Sequence, residues 1–388
     1  MTHPYDDLRP DDLRHADSYK WTAYAEDVLP LWVADMDFPV APGIQTALQE
    51  RLGKPIGYHL LQGDPALAAL LQAHYARQGH PVLPADRYWL LPGVVPGLYA
   101  SVLGLTSPGD EVLTHTPIYP PFLSAIQDHG RLPRHAPLAR TRAGYEIDWD
   151  AMRAAVTPAT RLLMLCNPHN PTGRLWTRAE LEQLAEFALR HRLWVVSDEL
   201  HADLTLEGEF TSFATLGDDI AQHTLTLGGP CKAYNTAGLG IGVAFSANAA
   251  LLARVQGAAR GITGYPSALA VTMWRAALTT GGPWLQDTLA YLRGNRELIT
   301  AFLGSELTDV TYHPPQATYL AWLDFRAFPW ADRAQEYLVT NARVGLNDGP
   351  TFGPGYEGFL RLNFATSRPL LLQALTRIRD AVRASDRS

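Results

Sequence analysis

The sequence predicts an α/β fold, a mostly parallel sheet lying between two layers of helices, with a smaller α+β lobe attached. Three observations predict it. Short apolar runs alternate with helical patterns through the middle of the chain, one complete strand–helix–strand unit is legible between residues 161 and 197, and both chain ends differ in pattern from that middle. The 388 residues allow two or three domain-sized units, but no stretch has the composition of a flexible linker. One compact unit with a lobe is therefore expected.

Residues 1–47 are rich in Pro and Asp around one apolar cluster, and residues 65–78 and 97–105 carry helical patterns. A strand is expected at 111–115. Arg161-Leu162-Leu163-Met164-Leu165-Cys166 is apolar enough to be buried on both faces of a sheet. Residues 177–191 then read as an amphipathic helix, and 193–197 as the next strand. That helix opens with Thr177-Arg178-Ala179-Glu180, a capping box in which the Thr oxygen takes an orphan amide and Glu180 reaches back. Further strands are expected at 223–227 and 240–245. Beyond Gly282 a long helical pattern at 284–303 precedes a strand-like run at 318–323, and the two chain ends are expected to meet in the small lobe.

A formal charge of −7 leaves no basic stripe for nucleic acid, which is not expected as a partner. The acidic N-terminus is no targeting signal, and no run approaches the roughly 18 apolar residues of a membrane span. A cytoplasmic location without membrane contact is expected. Two cysteines, Cys166 and Cys231, make neither a disulfide framework nor a Cys-x-x-Cys metal pair, and no metal site is expected. Gly238-Leu239-Gly240-Ile241-Gly242 has its third Gly misplaced for a dinucleotide turn, and neither a His-Glu-x-x-His nor a Gly-Lys-Ser/Thr signature occurs.

The informative segments are Leu31-Trp32-Val33-Ala34-Asp35-Met36-Asp37-Phe38, Gly93-Val94-Val95-Pro96-Gly97, Cys166-Asn167-Pro168-His169-Asn170-Pro171-Thr172-Gly173, Ser197-Asp198-Glu199-Leu200-His201, Cys231-Lys232-Ala233-Tyr234-Asn235 and Arg361-Leu362-Asn363-Phe364-Ala365. Their order over nearly the whole chain resembles the fold-type I pyridoxal phosphate enzymes, and is similar to the cystathionine β-lyase (MalY/PatB) branch of the class I/II aminotransferases. The resemblance implies pyridoxal 5'-phosphate as cofactor and a small-molecule amino acid as substrate. It also implies a large cofactor-binding domain at 48–282, a small domain from 1–47 and 283–388, and a homodimer with shared active sites.

On this resemblance Lys232 is the Schiff-base lysine and, once freed by substrate, the general base at Cα. Asp198, expected at a strand end, pairs with the pyridine nitrogen. Asn170 and His201 serve the phenolic oxygen. Tyr119 stacks on the ring, held by prolines on both sides in an extended loop. Gly93, Val94 and Val95, ahead of a helix beginning near Gly97, cradle the phosphate. Arg361, in an apolar run, takes the substrate carboxylate and needs an anionic partner if buried. Ala34 offers its amide to the same carboxylate.

The chain departs from the wider superfamily at two phosphate donors. A Ser three residues before the lysine and an Arg eight after it are here Gly229 and Gly240. Either other groups compensate, with Thr226 and a Tyr58 reaching from a neighbouring subunit as candidates, or the cofactor is held less tightly than usual, and Gly229→Ser is expected to tighten the cofactor if the turn is open. The activity implied is cleavage of L-cystathionine or other cysteine S-conjugates through aminoacrylate to a thiol, pyruvate and ammonia. An aminotransferase shares every step up to the Cα carbanion, and an idle fold acting as a regulatory binding protein is the third reading.

Overall fold

The computed structural model describes residues 3–15, 17–57, 59–60 and 64–385. Its centre is a seven-stranded sheet of β1 (Tyr88–Leu91), β2 (Glu111–Thr116), β3 (Leu132–Pro137), β4 (Thr160–Cys166), β5 (Trp194–Asp198), β6 (Thr224–Gly228) and β7 (Gly242–Phe245), in the spatial order β1-β7-β6-β5-β4-β2-β3. From β6 across to β3 every pairing is parallel, while β7 runs antiparallel to both β1 and β6. The carboxyl ends of the parallel strands therefore open on one edge, and the long β6–β7 connection starts from that edge too.

Side-chain alternation along β4 sorts the two helical layers. Leu162, Met164 and Cys166 pack into one core with helix α3 (Val94–Leu105), whereas Leu163 and Leu165 pack into another with α5 (Arg178–Arg190). Helix α3 is buried almost all round, because it is sandwiched between the sheet and helix α6 (Ala249–Ala258). Helix α5 buries Leu181, Leu184, Ala185 and Ala188, a single face at helical spacing. Its capping box forms as expected: Glu180 N donates to Thr177 Oγ1 at 3.2 Å, and Thr177 N donates to Glu180 Oε2 at 2.8 Å.

The smaller unit is a four-stranded antiparallel sheet, β8 (Thr311–Tyr312), β9 (Leu320–Asp324), β10 (Asn347–Asp348) and β11 (Phe359–Asn363), in the order β8-β9-β11-β10. Helices α8 (Gly282–Glu306) and α9 (Arg368–Ser385) pack against each other beside it. Leu29–Pro30 pairs in parallel with Val344–Gly345, which ties the N-terminal segment to the C-terminal part of the chain. The expected division after residue 47 falls inside α1 (Pro42–Leu52), which, like α2 (Pro65–Arg77), packs along α7 (Ala268–Thr280), while the division near 282 falls at the junction of α7 and α8.

Three sequence expectations need correction. Helix α3 starts at Val94 rather than near Gly97, because Pro96 is tolerated in a first turn, where its missing N–H is not required. Tyr119 is followed by a helix, α4 (Pro120–Gln127), and its two leading prolines open that helix instead of holding an extended loop. Strand β3 went unread because it is a partly exposed edge strand with Pro near both ends.

Candidate active site

A cavity of about 460 Å³ opens at the carboxyl ends of the parallel strands, where open α/β sheets place their ligands. Asp198 is the last residue of β5 and lies in register with Cys166, the last residue of β4. Asn170 follows from the turn after β4, Tyr119 from the segment after β2, and Lys232 from the β6–β7 connection. Arg361 comes from β11 of the small unit and Ala34 from the N-terminal segment. All of these line the cavity together with His201, Gly93, Val94 and Val95. Tyr58 lies outside the described residues.

Burial sets the electrostatics. Asp198 is buried, accepts one hydrogen bond from Leu200 N at 3.1 Å, and is pushed up to about 7 by desolvation, with the Lys232 charge acting the other way. Desolvation, helped by Lys232 and Arg361, pushes His201 down to about 3, so its ring is neutral at pH 7. Its Nδ1 is buried without a hydrogen-bond partner, and its ring stands edge-on to Tyr319. Lys232 Nζ donates to the carbonyl of Ala34 at 2.8 Å. Ala34 thus presents its carbonyl to the lysine, where the sequence reading assigned its amide to a carboxylate.

Arg361 is 3 % exposed, and burial pushes its guanidinium down to about 10. Its donors meet only neutral acceptors: Asn170 Oδ1, the Trp32 carbonyl and Asn347 Oδ1, each at 3.0 Å. Its Nε is buried without a partner. A buried cation whose hydrogen bonds go only to neutral groups, with the Phe352 ring against it at 5.0 Å, is poised for an anion. Because Asn170 Oδ1 is engaged by Arg361, Nδ2 is the end of that amide left to donate into the cavity.

The start of α3 supplies the amides of Val94 and Val95, since Pro96 has none. Of the two candidate substitutes for the absent phosphate donors, Thr226 stands away from the cavity, and Tyr58 lies outside the described residues. Thr226 is buried within β6 and is not among the residues lining the cavity, because its strand position turns it into the protein. A Cβ on Gly229 would sit 3.1 Å from the Ile241 carbonyl and 3.3 Å from Gly242 Cα, and a Cβ on Gly240 would sit 2.6 Å from the Pro92 carbonyl. Backbone approaches both glycines closely: at Gly240 no side chain fits, and at Gly229 one fits only if the backbone of Ile241 and Gly242 gives by a few tenths of an ångström.

The sequence reading missed Trp32, Asn347 and Tyr319. Asn347 lies opposite Arg361 in the β10–β11 register, a pairing across a long connection that no local pattern marks. Tyr319, buried, donates its hydroxyl to the Ala34 carbonyl at 2.9 Å. Trp32 sits within a segment singled out above, but its contribution to Arg361 is a backbone carbonyl, which side-chain chemistry does not announce.

A mostly parallel sheet with a lysine, a carboxylate and a helix N-terminus converging on its carboxyl edge, faced by an arginine from a second lobe, defines the α/β class of fold-type I enzymes. Residues 26–378 match the family model for aminotransferase class I and II, and the chain belongs to that family. It is 38 % identical over 374 residues to cystathionine β-lyase PatB of Bacillus subtilis, covering 94 % of this chain and 96 % of that protein. Among solved structures, that of OvoB superposes with a TM-score of 0.91 at 37 % identity, covering 95 % of this chain and 97 % of that one. Cystalysin from Treponema denticola, which contains a pyridoxal 5'-phosphate cofactor, superposes with a TM-score of 0.92 at 27 % identity, covering 99 % and 100 %.

Proposed function

We propose that the chain is a pyridoxal 5'-phosphate-dependent carbon–sulfur β-lyase that converts L-cystathionine or another cysteine S-conjugate, with water, to a thiol, pyruvate and ammonia. The observation that carries the reading is the convergence of Lys232, Asp198 and Arg361 on one cavity, with the buried Arg361 held only by neutral acceptors. The names of PatB and cystalysin's cofactor support it. The site residues fit the cofactor: a buried carboxylate awaits a cation, His201 Nδ1 is unpartnered, and two helix amides face the cavity.

When bound, the cofactor supplies an electron sink that makes the Cα proton acidic and lets the Cβ–sulfur bond break. Arg361 binds the substrate carboxylate as a bidentate partner and so fixes which Cα bond faces Lys232. The amine of Lys232 takes the Cα proton. With the cofactor in place, Asp198 would keep a proton on its ring nitrogen, and Asn170 and the neutral His201 would serve its phenolic oxygen. Tyr119 would stack on its ring, while Gly93, Val94 and Val95 would hold its phosphate. The Ala34 carbonyl holds the lysine.

The assay that tests this is purified protein with L-cystathionine or a cysteine S-conjugate, followed for thiol, pyruvate and amino transfer to an added 2-oxo acid. Thiol and pyruvate in equal amounts are expected. Amino transfer without pyruvate would assign an aminotransferase instead. The working unit is a homodimer with shared sites. Ile56, Leu60, Ile262 and Tyr265 are exposed and available to such an interface.

A further inference from the structure

Residues 32–38 form neither helix nor strand, yet Ala34, Met36, Asp37 and Phe38 are buried between the large sheet's edge and the small unit. A buried strap without a ladder must find other partners for its peptide groups. Two asparagines supply them from opposite sides. From the large unit, Asn235 accepts from Met36 N at 3.0 Å and donates to the carbonyls of Met36 and Phe38 at 3.0 and 2.8 Å. From β11, Asn363 donates to the carbonyls of Val33 and Asp35 at 2.7 and 2.6 Å. Between these two clamps, the Ala34 carbonyl accepts from both Lys232 Nζ at 2.8 Å and Tyr319 Oη at 2.9 Å.

Two backbone features sit at the same place. Asn235 belongs to the turn that carries Lys232, closed by Tyr234 N to the Pro230 carbonyl at 2.9 Å and Thr236 N to the Cys231 carbonyl at 3.0 Å, and has φ of 52°. Thr318, the neighbour of Tyr319, is buried with φ of 71°, an outlier for a β-branched residue. Strain of that kind persists only where the surroundings over-determine it. Thr318 stands directly before Tyr319, whose hydroxyl meets the carbonyl that the lysine also uses.

We propose that Asn235 and Tyr319 are positioning residues for Lys232. They lock the strap to the lysine turn and hold the Ala34 carbonyl in place, so the amine has one fixed resting point on the cavity wall. The inference rests on Lys232 being the cofactor-bearing lysine, a reading tested separately by Lys232→Ala, which must lose the visible absorbance of bound cofactor. Asn295 provides the control. It donates to the carbonyls of Phe364 and Thr366, both at 2.8 Å, is buried, and does not line the cavity. A purely structural role would make Asn235 and Asn295 behave alike.

The experiment compares Asn235→Gly, which deletes the amide but tolerates the positive φ, with Tyr319→Phe and Asn295→Ala. In cofactor-free protein, the acylation rate of Lys232 by an amine reagent is followed across pH by peptide mass spectrometry, beside the melting temperature. In loaded enzyme, kcat and KM are measured with a cysteine S-conjugate. Each lost hydrogen bond is worth about threefold to tenfold in a rate, so both strap variants should acylate at least about threefold faster and lose at least about threefold in kcat, with KM nearly constant. Asn295→Ala should lower only the melting temperature. The proposal is overturned if either folded strap variant changes less than that, or if Asn295→Ala matches them. Should Asn235→Gly fail to fold, Tyr319→Phe, which removes a single buried oxygen, decides by the same thresholds.

Discussion

Asp198 sets folding against chemistry. Its carboxyl is pushed up to about 7 from an ordinary value of 3.8, so across that interval the folded protein binds more protons than the unfolded chain. Stability therefore falls as pH rises through the window, and the cost, on the order of a few kcal/mol, is complete above pH 7. Cofactor-free Asp198→Asn should accordingly melt several degrees above the parent at pH 8 and near it at pH 4, while turnover with saturating cofactor falls. Calorimetry at the two pH values checks the sign, and a parent more stable than the variant at pH 8 would show that the carboxylate is already compensated. Gly229 carries the second residue-scale prediction. Ile241 and Gly242 crowd its Cβ position, so Gly229→Ser should destabilise by about 1–3 kcal/mol and raise the cofactor dissociation constant, opposite to what the motif alone suggests. Titration of cofactor absorbance against the parent decides between the two.

At the scale of elements, the site depends on where strands stop and helices start. Because α3 begins at Val94, its free amides lie on the cavity, whereas a start near Gly97 would have left them one turn further in. Helix α5, by contrast, contributes packing. Its capping box lies among exposed atoms, and no residue of α5 lines the cavity. Thr177→Ala should therefore cost about 1 kcal/mol in denaturant unfolding and leave kcat and KM unchanged. A fall in kcat at unchanged KM would mean that α5 reaches the site through β4 and β5.

For the whole molecule, the proposed pairing of subunits makes a prediction of mass. Sedimentation at micromolar concentration should give twice the 42.7 kDa of one chain, and Ile262→Asp, which places a charge where an exposed apolar side chain now stands, should shift the population toward monomer. A parent that sediments as a monomer would remove the shared-site reading while leaving the arrangement of Lys232, Asp198 and Arg361 intact. Among the described residues, no helix is long and apolar enough to cross a membrane.

The elements legible from sequence are those whose burial is periodic. β4, α5 and β5 were readable because runs such as Leu162 to Leu165 and the Leu181, Leu184, Ala188 face carry their own partner requirements, and a capping box needs only neighbours in sequence. The titratable and polar part of the cavity lining was likewise readable, since Lys232, Asp198, Asn170 and Arg361 sit in short segments whose order is informative. What only tertiary structure decided is how those groups are held. Asn347 reaches Arg361 across a sheet register, Tyr319 shares the Ala34 carbonyl with Lys232, and Gly240 must be bare because the Pro92 carbonyl approaches it. None of these contacts joins sequence neighbours, and two of the three are made to backbone carbonyls that every residue possesses, so sequence determines which chemical groups are available while packing determines where they point.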